Sequence, residues 1–201
     1  MIRSTRSVLL IALLLIGSAW AQPGQHVNYS TVGLDLEILS YGGSLGGFYS
    51  FHPRENLSLD LETDWALVES SDTYTYYNYY SQPVTINNRN LSFAKLLAGI
   101  TWFPFLESMH PSIKVAGFAA AGPLLSLNTA DDETFLTRWQ DVELDVTPMV
   151  RGGVHVKIVN GKGAFYTLRL GYDYASFDRV IDSKQTYKGM FFQVGLEFLH
   201  R

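Results

Sequence analysis

The chain has no cysteine among its 201 residues. That excludes disulfide cross-links, thiolate nucleophiles and a lipid-modified amino-terminal cysteine. Charge is scarce as well, since Asp, Glu, Lys and Arg make up 17% of the chain against roughly 25% in soluble domains. Beyond residue 21 no apolar run approaches the ~20 consecutive residues that a membrane-spanning helix needs. What charge there is leans acidic, which argues against a nucleic-acid partner.

What is present first is an export address. Arg3 and Arg6 form a basic start, Val8 to Ile16 an apolar stretch, and Ala19-Trp20-Ala21 a small-x-small cleavage site, the three parts of a secretory signal peptide. Residues 1–21 are therefore expected to be removed, leaving 22–201 as one domain. Cleavage takes two arginines and no acid from the 15 basic and 19 acidic residues, for a net charge of −6.

The mature chain alternates. In Leu57-Ser58-Leu59-Asp60-Leu61-Glu62-Thr63-Asp64-Trp65-Ala66-Leu67 the large apolar side chains fall on one face of a strand and the carboxylates on the other. The same period marks strands at Val32–Ile38, Leu45–Phe51, Leu91–Phe103, Ile113–Ala121, Val142–Ile158, Tyr166–Tyr174 and Met190–Phe198. Gly42, Gly43, Gly46 and Gly47 read as a flexible reversal between the first two strands, and Pro148 as an interruption that leaves a ladder bond unmade. Asn160-Gly161 is a tight-hairpin signal. Connections at 52–56, 105–111 and 160–163 are short and those at 70–90, 126–141 and 175–188 long, the layout of transmembrane barrels.

Alternation alone does not say which face is outside. A soluble, lipocalin-like barrel would have to fit Leu59, Leu61, Trp65, Tyr172, Phe192 and Phe198 into a narrow lumen and leave Gly, Ala and Ser on its exterior. The reverse packing is easier. An eight-stranded interior is filled by small residues and paired charges, and Tyr172 and Tyr174 at one rim with Trp102, Tyr166 and Phe198 near the other suit aromatic girdles. The expected fold is all-β, an eight-stranded antiparallel up-and-down transmembrane β-barrel.

In this pattern the chain resembles the small outer-membrane β-barrel family of Gram-negative bacteria, the eight-stranded group with the OmpA barrel domain, OmpX and OmpW. The resemblance covers the whole mature chain and implies a wall surrounded by outer-membrane lipid. It also implies recognition by the barrel-assembly machinery through the final strand, where Phe192, Val194, Leu196 and Phe198 look like that signal. Leu199-His200-Arg201 follow, where family members typically end on Phe.

The inward charges predict a lumen network of the acids Asp35, Glu37, Asp60, Glu62, Asp64, Glu143, Asp145, Asp173 and Glu197 with the bases Lys95, Lys114, Arg151, Lys157 and Arg169, His155 among them. Such charges must pair or stay hydrated. The expected role is a salt-bridged plug, hence a non-enzymatic barrel with a largely closed lumen and a structural or surface-interaction role, porin-like only in architecture. A small-solute channel and a lipid-modifying barrel enzyme are the alternatives. Acyl chemistry needs a His beside a Ser nucleophile, and no Gly-x-Ser-x-Gly or His-x-Ser sequence adjoins His155. His26, His52, His110 and His200 lack metal-ligand spacing, and no cofactor is expected. Tyr74, Tyr76, Tyr77, Tyr79 and Tyr80 form the candidate contact for an extracellular ligand, tyrosine giving large contact area at small entropic cost. Asp131-Asp132-Glu133 reads as a solvated loop, without an EF-hand pattern.

Overall fold

The computed structural model describes residues 26–68, 74–86, 89–130, 142–160, 163–181 and 184–200. The expected signal segment 1–21, the acidic cluster at 131–133 and the turn residues Gly161 and Lys162 lie outside them. Ten strands are present: β1 His26–Leu39, β2 Gly42–Arg54, β3 Leu57–Val68, β4 Tyr74–Tyr77, β5 Pro83–Ile86, β6 Arg89–Trp102, β7 Ile113–Ala130, β8 Glu143–Asn160, β9 Ala164–Ile181 and β10 Lys184–His200. Eight of them close into a barrel in the order β1-β10-β9-β8-β7-β6-β3-β2, and β4 pairs only with β5. Closure comes from β1, which pairs antiparallel with β2 on one side and with β10 on the other.

Strand parity decides what faces where. Along β1, Val32, Leu34, Leu36 and Ile38 are exposed while Thr31, Asp35, Glu37 and Leu39 are buried. The same alternation runs through β3 and β10. Leu57, placed by its spacing on the outer face, is instead fully buried, because the β2–β3 register shifts between Phe51 and Arg54 and the bulge turns the start of β3 inward.

Three expected connections differ from those seen. Gly42, Gly43, Gly46 and Gly47 belong to β2, and only Ser40 and Tyr41 separate it from β1. A Cβ at Gly46 would stand 1.8 Å from the Asp64 carboxylate, so this glycine makes room for a side chain reaching across from β3. Residues 126–130 continue β7 to Ala130, the rest of 126–141 lying outside the described residues, and 175–188 is largely strand, since β9 and β10 run on until two residues part them. Their 17 to 18 residues span about 60 Å at ~3.3 Å per residue, well beyond a ~30 Å hydrocarbon core. These hairpins rise from the end opposite the termini. Between β3 and β6 the chain forms the β4–β5 hairpin.

Pro148 does not end β8, since it lies directly opposite Pro123 of β7. The missing donors appear on the outer sides of that pair. The β6–β7 register passes from Lys95↔Leu124 to Ala98↔Ala121 without pairing Gly122 or Pro123. The β8–β9 register stops at Met149↔Ala175, one residue short of Pro148. Beyond it β8 stays with β7 and β9 with β10. They are joined to each other by the Thr147 hydroxyl, donating to Ser176 O at 2.5 Å, and by the exposed Arg179, which pairs with Asp145 and donates to Leu144 O at 3.3 Å.

Candidate functional site

The lumen is built in two storeys. In the half nearer the termini, β1, β3, β6, β8, β9 and β10 each send charged side chains inward at alternate positions. Among the described buried residues these are seven carboxylates, Asp35, Glu37, Asp60, Glu62, Asp64, Asp173 and Glu197, and four cations, Lys95, Arg151, Lys157 and Arg169.

Arg151 on β8 is the hub. Its Nε donates to Asp173 Oδ1 at 3.0 Å, a terminal nitrogen donates to Glu62 Oε2 at 3.2 Å, and the other donates to Glu37 and to Asp173 Oδ2 at 3.3 Å. Its guanidinium also lies 3.9 Å from the Phe191 ring centroid, a cation–π contact. Arg169 donates to Glu62 and sits 3.5 Å from Asp60. Lys95 bonds Glu37 and approaches Asp64 at 3.1 Å. Lower down, Lys157 donates to Glu197 at 2.6 Å, and Thr31 donates to the same carboxylate. The planar fork of arginine suits this bridging between several carboxylates.

The hydroxyl groups complete the lattice. Ser44 donates to Glu37 at 2.7 Å, while Ser58 at 2.6 Å and Thr101 at 2.5 Å donate to Asp60. The exceptions are Asp64, which faces Lys95 as an ion pair, and Asp35, neither residue having a hydrogen-bonded carboxylate oxygen although both are buried. Asp35 lies in a cross-strand row with Gly195 and Gly46 on either side and Asp64 beyond. Neither nitrogen of buried His155 has a hydrogen-bond partner.

Three expected members stand apart. Glu143 is exposed on the upper part of β8, within 3.4 Å of the Asn128 amide. Asp145 pairs with the exposed Arg179 at that same level. Both lie above the buried set because β8 starts well outside the lumen. Lys114 is only half-buried, opposite Lys157 across the β7–β8 ladder. His52, expected in a turn, instead ends β2 facing inward, stacked on Tyr29 at 4.3 Å and 3.8 Å from Glu197.

The upper storey is apolar. Phe93 of β6 meets Tyr187 of β10 edge-on with ring centroids 4.9 Å apart and Phe177 of β9 at 6.0 Å, and Tyr41 closes over them at 5.8 Å from Tyr187. Leu39, Leu97, Leu124 and Met149 complete this buried cluster. The signal for it is in the parity: Phe93 and Leu97 flank Lys95, and Phe191 precedes Gln193 by two. Attention to charged positions alone passes over them.

Two serine sequences merit the catalytic test. Gly42-Gly43-Ser44-Leu45-Gly46 fits Gly-x-Ser-x-Gly, but Ser44 lies within β2 rather than on a strand-to-helix elbow, and its hydroxyl is given to Glu37. His110-Pro111-Ser112 fits His-x-Ser in the exposed β6–β7 connection, where the Ser112 backbone N–H donates to His110 Nδ1 at 3.2 Å. Among the described hydrogen bonds Ser44 has no His partner, and no carboxylate orients His110. Nor do the described residues contain a group of three or more His, Asp or Glu placed to hold a metal ion.

Outside the barrel, Tyr77, Tyr79 and Tyr80 are 73%, 97% and 79% exposed. Asn78 shapes their turn, its side-chain oxygen accepting from the Tyr80 and Gln82 N–H groups at 2.9 and 3.0 Å. Ser81 takes a left-handed φ of 58° there. Tyr74 and Tyr76 fall within β4, their side chains outside the described set.

A closed eight-stranded antiparallel barrel with an apolar outer wall and a charged interior has the fold of the small outer-membrane β-barrels. No protein-family model matches the chain, and no curated protein sequence matches it. Among solved structures it is similar to neisserial surface protein A, with a TM-score of 0.54, 9% identity, and coverage of 88% of this chain and 99% of that one. It is also similar to a major outer membrane protein from Thermus thermophilus, with a TM-score of 0.51, 12% identity, and coverage of 85% and 99%. At these identities the likeness is one of fold.

Proposed function

We propose that the mature chain is a non-enzymatic outer-membrane barrel of a Gram-negative bacterium, with a closed lumen and a working surface in its projecting hairpins. The observation that carries this reading is the filled lumen. The lattice around Arg151 occupies one half and the aromatic cluster around Phe93 the other, as expected where eight strands leave space only for side chains.

The location rests on the apolar wall, whose exposed Leu, Ile, Val and aromatic residues on β1, β3 and β10 would be an aggregation surface in water. The amino-terminal export signal and the outward aromatic stripe of β10 support delivery through the barrel-assembly machinery. The exposed tyrosines of the β4–β5 hairpin are the surface for an extracellular ligand, offering broad amphipathic faces at small entropic cost.

Reconstitution of the full mature chain in planar bilayers, with a parallel lipid-hydrolysis assay, tests the reading. Neither discrete conductance steps nor lipid turnover is expected. Large stable steps would overturn the closed lumen, and turnover abolished by His155→Ala or Ser44→Ala would make the protein an enzyme.

A further inference from the structure

The outer wall is not uniform: a large trough lies where β2 carries Gly43 on the lipid side. In cross-strand register the outward residues form rows: Phe192–Ile38–Gly43–Leu67, then Val194–Leu36–Leu45–Trp65, then Leu196–Leu34–Gly47–Thr63. Gly43 removes a side chain between Ile38 and Leu67. The resulting depression measures about 1050 Å³ and is lined almost wholly by apolar surface, with Trp65 on one bank and Phe192 on the other. That volume is at the upper end of the roughly 300–1,000 Å³ of small-ligand clefts.

Two features bear on what fills it. The β1–β2 connection is two residues long, as short as the β9–β10 turn at this end of the barrel, so no loop of its own roofs the trough. Lys188 shares the outward parity of Met190 and Phe192 and is exposed. It lies four residues above Phe192, ~13 Å along the strand at ~3.3 Å per residue, at the level of Tyr174 across the ladder. An acyl-shaped groove on a lipid-facing wall thus ends beneath a cation at the aromatic rim, where headgroups lie.

We propose that this trough is a specific lipid site, holding one acyl chain of a lipid with a net-anionic phosphate headgroup that is engaged by Lys188. The inference rests on the membrane reading above. A lipid with a zwitterionic headgroup gains the same apolar contact but less from the lysine, so the site discriminates by headgroup charge.

Tryptophan fluorescence tests this with the full mature chain in phosphatidylcholine vesicles. Trp65 is kept as the sole tryptophan, the others being replaced by Phe, and brominated phosphatidylglycerol or brominated phosphatidylcholine serves as quencher. A second single-tryptophan variant, Val154→Trp, reports from the wall opposite, on β8. Several-fold stronger quenching of Trp65 by the anionic lipid is expected, with no preference at position 154. Lys188→Gln should equalise the two lipids at Trp65, and Gly43→Leu should weaken quenching by both. Equal quenching of Trp65 by the two lipids, or a preference that survives Lys188→Gln, overturns the site while leaving the membrane reading intact. Absence of quenching at both positions overturns the membrane reading itself. Shielding of Trp65 alone, with a cross-linked dimer on gels, assigns the trough to a second copy and also overturns the lipid site.

Discussion

Removing the Arg151 guanidinium is the sharpest test of the lumen lattice. Arg151→Met keeps most of the length and deletes the charge that Glu37, Glu62 and Asp173 share. The three carboxylates are not left equal. Glu37 keeps Lys95 and Glu62 keeps Arg169, whereas Asp173 retains, among the described bonds, only the Tyr41 hydroxyl at 3.4 Å. The cost should therefore fall mainly on one orphaned carboxylate, within the ~3–5 kcal/mol measured for breaking buried pairs. Urea unfolding of the barrel in lipid vesicles, followed by tryptophan fluorescence, reads this directly, since a ~3 kcal/mol loss shifts the midpoint by roughly 1–3 M at m values of ~1–3 kcal/mol/M. Asp173→Asn in the Arg151→Met background should recover at least half of the loss, because it removes the orphan. A loss below ~1 kcal/mol for Arg151→Met, or a double variant as unstable as the sum of the two singles, would refute the assignment of Arg151 as hub.

Other outcomes follow from the same geometry. Leu61→Arg, on the exposed face of β3, should cost ~2–4 kcal/mol near the bilayer midplane and lower the yield of folded barrel on gels run without boiling. Gly33→Ala should destabilise by ~1–3 kcal/mol, because its Cβ would stand 2.3 Å from the Phe48 ring. Phe48→Leu should restore only part of that loss in the same unfolding assay, because the Leu196 carbonyl oxygen, 2.7 Å from the added Cβ, stays in place. Tyr79→Ala with Tyr80→Ala should leave the unfolding midpoint unchanged, given their exposure, and should abolish any binding of whole cells to surface ligand.

How much of this is legible in the sequence depends on parity. The number of barrel strands and the inward position of the eleven buried charged residues follow from a period of two, which one buried face makes unambiguous. Lys114, Glu143 and Asp145 share that parity without being buried in the lattice. Strand ends are less legible. Residues 175–188 are polar enough to read as loop, yet they pair as a hairpin whose inward face is apolar, with Ala175, Phe177, Ile181 and Tyr187 buried, and whose outward face is not. The glycines of β2 read as a turn because their usual role is conformational; here they clear space for Asp64 inside and leave the trough outside. His52 is hidden by Pro53 beside it, which suggests a turn three residues too early, since β2 runs on to Arg54. The hub role of Arg151 is beyond reach, since register and reach across the lumen, not strand parity, decide which carboxylates a guanidinium touches.

The proline pair has a mechanical consequence. Above Pro123 and Pro148 the β7–β8 and β9–β10 hairpins share no backbone ladder, and the Thr147 hydroxyl and the Arg179 side chain make their only described links across the seam. Below it, the wall is one continuous hydrogen-bonded ring. A tug on one blade is thus borne by the cylinder beneath rather than handed sideways to its neighbour, and a molecule gripping one hairpin would leave the other standing.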